Sequence, residues 1–163
     1  MNRMTERIFN FSPGPAVLPV SVLERAQQEL LALPGAGASV MEISHRSKKF
    51  EELLAATKQR LSTLLNIPSN YSILFMQGGA SLQFTLVAMN LLRGTGKPAQ
   101  YVLTGTWGNK AIEEAQREGT AQALWDGKGE NYCATPSAAE LRFDPQAAYA
   151  YLTSNETIQG VQF

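Results

Sequence analysis

From Tyr71 onward the sequence alternates short apolar runs with amphipathic stretches, and this alternation limits the architecture more than any other feature. The run "YSILFM" reads as a strand, and residues 80–92 read as a helix rich in Leu, Phe and Met. "QYVLT" follows as a strand, residues 107–118 as a helix ending at Gly119, and "AQALW" as a further strand. "DPQAAY" holds a short turn of helix, "AYLTS" is strand-like again, and "GVQF" starts another strand. Strands and helices in this order make βαβ units, which need a largely parallel sheet covered on both faces. The expected fold class is α/β.

The amino-terminal stretch reads differently. "FNFSPGPAVLP" sets three prolines around a glycine, so it is extended and turn-bearing, not helical. Ser21 and Glu24 have the spacing of a capping box, and Val22, Ala26, Leu30 and Leu33 share a helical face that ends at Pro34-Gly35. "ASVMEISHRS" reads as a loop with some extended backbone. Phe50, Leu53, Leu54, Thr57, Leu61, Leu64 and Leu65 predict an amphipathic helix from Lys48 to about Asn66, stopped by Pro68.

Composition excludes several classes of function. With 163 residues the chain suits one domain with a real core. Fourteen basic residues balance fourteen acidic ones, which leaves no electrostatic case for nucleic acid or an anionic membrane. Cys133 is the lone cysteine, so there is no internal disulfide framework, and one Cys with one His makes a zinc site implausible. The opening "MNRMTERIFNFSPGP" lacks the apolar core of a signal peptide, and no window approaches a membrane span. These features predict a cytoplasmic protein without metal. The end, "YLTSNETIQGVQF", falls inside an apolar, strand-like run, which reads as a truncated chain.

Parallel α/β sheets bind ligands at the carboxyl ends of their strands. Three unusual segments belong to that edge: "QGGAS", "TGTWG" and "TSNET". The amides around Gly79 and Ala80, with the Ser81 hydroxyl, suit a phosphate at a helix N-terminus; the alternatives are a tight connection and an ordinary Ser cap. Trp107 could lie flat on a planar ring, or serve as core packing. Thr157 offers a hydroxyl at a strand end, or simple turn chemistry. In "SHRS", His45 stands beside Arg46, whose planar fork suits a carboxylate or phosphate; a surface ion pair is the alternative. Neither the dinucleotide nor the P-loop glycine pattern is present.

Taken in order, "FNFSPGPAVLP", "MEISHRSKKF", "FMQGGASLQF", "TGTWGNKA" and "SNETIQGVQF" resemble the phosphoserine aminotransferase family over nearly the whole chain. The resemblance implies a fold-type-I pyridoxal-phosphate transaminase: an aspartate-aminotransferase-like three-layer α/β sandwich, working as a homodimer with active sites at the subunit interface. It implies an arm over residues 1–19, with residues 20–163 as the first part of the cofactor-binding large domain. The implied reaction moves an amino group between glutamate and 3-phosphohydroxypyruvate, giving 2-oxoglutarate and phosphoserine for serine biosynthesis; some bacteria use the family in pyridoxine biosynthesis as well. Gly79, Ala80 and Ser81 would hold the cofactor phosphate, Trp107 would stack on the pyridine ring, and Thr157 would hydrogen-bond the cofactor. His45 and Arg46 would meet the substrate's anionic groups, and backbone near Ser12 and Pro13 would close over the substrate. The family's Schiff-base lysine and the aspartate that pairs with the pyridine nitrogen fall after Phe163, so no catalytic residue is assigned within this chain and the chain alone is expected to be inactive. Two other readings compete. One is another fold-type-I enzyme, such as an alanine–glyoxylate aminotransferase or cysteine desulfurase relative, against which "SHRS" and "GTWG" argue. The other is a non-catalytic phosphate-binding α/β module.

Overall fold

A computed structural model describes residues 7–163; residues 1–6, the start of the expected amino-terminal arm, lie outside the described residues. The chain divides into two units, Met1–Phe75 and Met76–Phe163, each described by itself.

In the first unit, residues 7–19 run without helix or strand, as the prolines dictate. Helix α1 spans Val20–Glu29. Its N-cap is Pro19 and no side chain caps it, so Ser21 sits inside the first turn and the expected capping box does not form. The helix also ends earlier than its apolar spacing predicts, with turns over residues 34–36. Residues 38–47 are turns with no strand among them. Helix α2, Lys48–Leu64, has a side-chain cap: Ser47 Oγ accepts from the Phe50 amide at 3.3 Å. Neither helix buries a residue fully, and Ile8, Phe9 and Phe11 are exposed.

Tyr71–Met76 is not a strand. No neighbouring strand pairs with it among the described residues, and a lone strand leaves its backbone donors and acceptors without a ladder. Tyr71, Leu74, Phe75 and Met76 are accordingly exposed.

The second unit carries the core. Helix α3 spans Gly79–Leu91, strand β1 Ala99–Leu103, helix α4 Thr106–Gln116 and strand β2 Ala121–Asp126. A short 3-10 turn, Gly127–Glu130, leads through irregular chain to β3, Tyr149–Leu152. The expected turn of helix in "DPQAAY" is a single turn, closed by the Ala147 amide on the Asp144 carbonyl. The sheet order is β2-β1-β3, with both pairings parallel. Leu124 is an extra residue in β2, because the register shifts between Tyr101 and Val102.

Being central, β1 is buried along its whole length. Its alternate residues Ala99, Tyr101 and Leu103 cluster with Ala88 of α3, with Leu92 at the C-cap of that helix, and with Ala111, Ile112 and Ala115 of α4. The small alanines let the helices approach the strand closely. On the other face Gln100 is buried and its Oε1 accepts from the Asp144 amide at 2.8 Å. Beyond β3, Asn155–Glu156 (β4) pairs antiparallel with Val161–Gln162 (β5), so "GVQF" folds back on the preceding turn.

Candidate cofactor-binding site

Because β1 and β3 are parallel neighbours, the segments after them leave the sheet side by side. The first runs from Thr104 into α4; the second is Thr153 to Gly160. They grip each other through three side chains. Glu156 is fully buried, and its two carboxyl oxygens accept from the backbone amides of Trp107 at 2.8 Å and Gly108 at 2.7 Å. Gln159 Oε1 accepts from the Thr106 amide at 3.2 Å while its Nε2 donates to Thr106 Oγ1 at 2.7 Å. Trp107 Nε1 donates to Thr157 Oγ1 at 2.9 Å. The opening amides of α4 are thus taken by the chain itself.

Gly105 exists for this grip. A Cβ there would lie 2.6 Å from Gln159 Oε1 and 2.7 Å from the Glu156 carboxyl carbon.

The start of α3 is the opposite case. Its N-cap, Gly78, has φ +91°, and a Cβ there would meet Leu82 Cδ2 at 2.3 Å, so the position requires glycine. No side chain caps the helix, and the amides of Gly79, Ala80 and Ser81 find no partner among the described residues. Ser81 is therefore not a helix cap; it stands as an exposed residue in the first turn.

A cavity of about 350 Å³ opens at this edge, walled by Ala80, Ser81, Phe84, Trp107, Thr153, Asn155 and Thr157. Trp107 is half-buried and stands outside the apolar core cluster. Lys110 Nζ lies 4.7 Å from the indole centroid and is not part of the cavity wall. Thr104 Oγ1 and Thr153 Oγ1, just past the ends of β1 and β3, are buried and find no hydrogen-bond partner among the described residues. Deeper in the same unit, the Tyr101 hydroxyl lies 2.6 Å from that of Tyr149, and its ring stacks on Tyr151 at 4.9 Å. Burial raises the pKa of all three tyrosines above the ordinary phenol value.

The cavity unites Ala80, Ser81, Trp107 and Thr157, with Gly79 one residue from its wall. His45, Arg46 and Pro13 belong to the first unit, where all three are exposed. The Arg46 amide donates to Ser44 Oγ at 3.2 Å, and its guanidinium forms no ion pair among the described residues. Sequence reasoning missed Glu156, Gln159 and Phe84. The signal available for Glu156 was slight: one acidic residue in an otherwise neutral, hydroxyl-rich turn.

The family described as Aminotransferase class-V matches residues 8–163. The chain belongs to the class-V aminotransferases. Phosphoserine aminotransferase of Rhodopirellula baltica is 56% identical over 158 residues, which are 97% of this chain and 42% of that relative. Phosphoserine aminotransferase from Bacillus circulans subsp. alkalophilus superimposes with a TM-score of 0.91 at 45% identity, covering 98% of this chain and 44% of the other. PLP-bound phosphoserine aminotransferase from Trichomonas vaginalis gives 0.86 at 40% identity, covering 96% and 44%. This class-V chain therefore spans less than half the length of these relatives. Its α/β fold with a parallel sheet is that of the corresponding part of theirs. No described helix is long and apolar enough to cross a membrane.

Proposed function

We propose that this chain is the pyridoxal-phosphate-cradling part of a phosphoserine aminotransferase, which moves an amino group between glutamate and 3-phosphohydroxypyruvate. The observation that carries this reading is the unpartnered turn of amides at Gly79, Ala80 and Ser81, opening beside an indole wall at the carboxyl edge of a parallel sheet. A phosphate dianion fits such a turn, because the helix dipole and the converging N–H groups both favour negative charge. The Thr153 hydroxyl on the same wall, buried and without a partner among the described residues, is a second polar group that a ligand can satisfy.

Within that reading Gly79, Ala80 and Ser81 hold the phosphate. The Trp107 indole shields one face of the planar ring from water and stacks on it. Thr157 Oγ1 already accepts the indole N–H, so its own hydroxyl proton remains free to donate to the ring's substituents. Pyridoxal phosphate, when bound, supplies the carbonyl that carries the amino group and the electron-poor ring that makes its transfer feasible. The chain's residues bind and orient; the lysine that would carry the cofactor is assigned to the further length that the relatives possess. His45 and Arg46 are assigned to the substrate's anionic groups, and the backbone at Pro13 to closure over it. Residues 1–19 are assigned to an arm, residues 20–163 to the large domain, and the assembly to a cytoplasmic homodimer.

The test is the thermal shift that pyridoxal phosphate produces in Trp107 variants. Ring stacking is worth about 0.5–1.5 kcal/mol beyond area burial. Trp107→Phe should lose part of the cofactor-induced rise in melting temperature and Trp107→Ala most of it. If both variants instead melt lower by the same amount with and without cofactor, Trp107 serves packing alone and the stacking assignment is wrong.

A further inference from the structure

Two helices, α3 and α4, begin at the carboxyl edge of the same sheet, and any helix N-terminus offers an anion its dipole and its first amides. Only α3 is open. At α4 the anion is built in: Glu156 is 0% exposed, its oxygens take the Trp107 and Gly108 amides, and it pairs with no Lys or Arg among the described residues. A carboxyl group buried away from cations is costly unless strong hydrogen bonds replace its hydration, and here the helix N-terminus provides them. The neighbouring Thr157 accepts the indole N–H, and Gln159 exchanges two hydrogen bonds with Thr106. One short turn therefore fixes the backbone of α4 at its first residues and the side chain of Trp107 at once.

We propose that Glu156 is a positioning residue, an internal anion that closes α4 to external phosphate and holds the Trp107 indole as a fixed wall of the cavity. This inference rests on the phosphate reading of α3 given above and adds the reason why only one of two similar helix starts receives the ligand. Gln159 and Thr157 complete the same hold. Through them, a glutamate that touches no ligand decides where the ligand lies.

The test uses the 163-residue chain labelled with ¹⁵N and titrated with inorganic phosphate. In the unsubstituted chain phosphate should shift the amides of Gly79, Ala80 and Ser81 and leave those of Trp107 and Gly108 in place. In Glu156→Ala phosphate should shift the Trp107 and Gly108 amides too, and the Trp107 indole proton should exchange with solvent about tenfold faster, the loss of one hydrogen bond's protection. Glu156→Gln keeps the volume and one acceptor, so it guards against a variant that does not fold; its indole proton should exchange several-fold faster and its Trp107 and Gly108 amide protons should move upfield. A glutamate serving stability alone would lower the melting temperature of Glu156→Gln and change neither signal, and that result overturns the proposal. So does a folded Glu156→Ala in which phosphate still leaves Trp107 and Gly108 unmoved. Failure of phosphate to shift Gly79, Ala80 and Ser81 in the unsubstituted chain overturns the α3 reading instead, and the indole exchange rates then decide the role of Glu156 by themselves.

Discussion

Single residues in this chain divide by how their chemistry is expressed. Ser81, Trp107 and Thr157 carry hydroxyl or aromatic groups after segments with the composition of strands, so their type and place in the alternation were enough to make them candidates, although the segment before Ser81 forms no strand. Glu156 was not legible, because its partners lie 48 and 49 residues away and only the fold brings them to it. Tyr101 was hidden in the same way inside "QYVLT". It is 1% exposed, hydrogen-bonds Tyr149 and holds its proton above the ordinary phenol range, chiefly through burial. Its folded-state pKa is raised, so its contribution is fully present below about pH 10, the unfolded value, and is lost as pH climbs beyond it. Stability of the second unit should fall above pH 10 by up to about 1.4 kcal/mol per pH unit for each such tyrosine. Denaturant unfolding between pH 8 and pH 11 checks this: Tyr101→Phe should flatten the alkaline decline, with the remainder coming from Tyr149 and Tyr151. An unchanged alkaline limb in that variant would place the titration elsewhere.

At the level of elements, the strongly patterned pieces were readable and the ones that depend on partners were not. Helix α2 forms close to its expected bounds because periodic leucines and the Ser47 cap agree. The β1–α4–β2 unit forms because "QYVLT" and "AQALW" have a helix between them that covers the strand pair. "YSILFM" has the composition of a strand, yet a strand needs a neighbour, and pairing cannot be read from one segment. The capping box at Ser21 failed because the helix starts earlier, at Val20 after Pro19, which places Ser21 within its first turn. The junction of β1 and α4 is the element whose packing decides the site. Gly105→Ala should drive a methyl group into Gln159 and Glu156, costing about 1–3 kcal/mol of overpacking, and should weaken the hold on Trp107. Gly129→Ala, where a Cβ meets nothing within 4 Å, is the control and should change stability by less than about 0.5 kcal/mol. Thermal melts of the two variants side by side give the comparison, and equal losses would deny the junction its role.

Across the whole molecule, the second unit holds a sheet with a buried central strand and two helices packed on it, while the first exposes large apolar side chains such as Ile8, Phe9, Phe11 and Leu31. The family resemblance seen in five ordered motifs agrees with the class-V match over residues 8–163 and with the superposition on solved phosphoserine aminotransferases. The central claim is that the N-terminus of α3 receives the phosphate of pyridoxal phosphate. Calorimetric titration of the chain with pyridoxal 5′-phosphate and, separately, with pyridoxal tests it most directly, because the two ligands share the ring and differ only in the phosphate. Charge-assisted hydrogen bonds are worth about 1.5–3 kcal/mol each, or roughly ten- to a hundredfold in affinity. The phosphorylated ligand should bind at least tenfold more tightly, and Ser81→Ala should narrow that gap by weakening only the phosphorylated one. Equal affinity for the two ligands, or a gap that Ser81→Ala leaves unchanged, would contradict it.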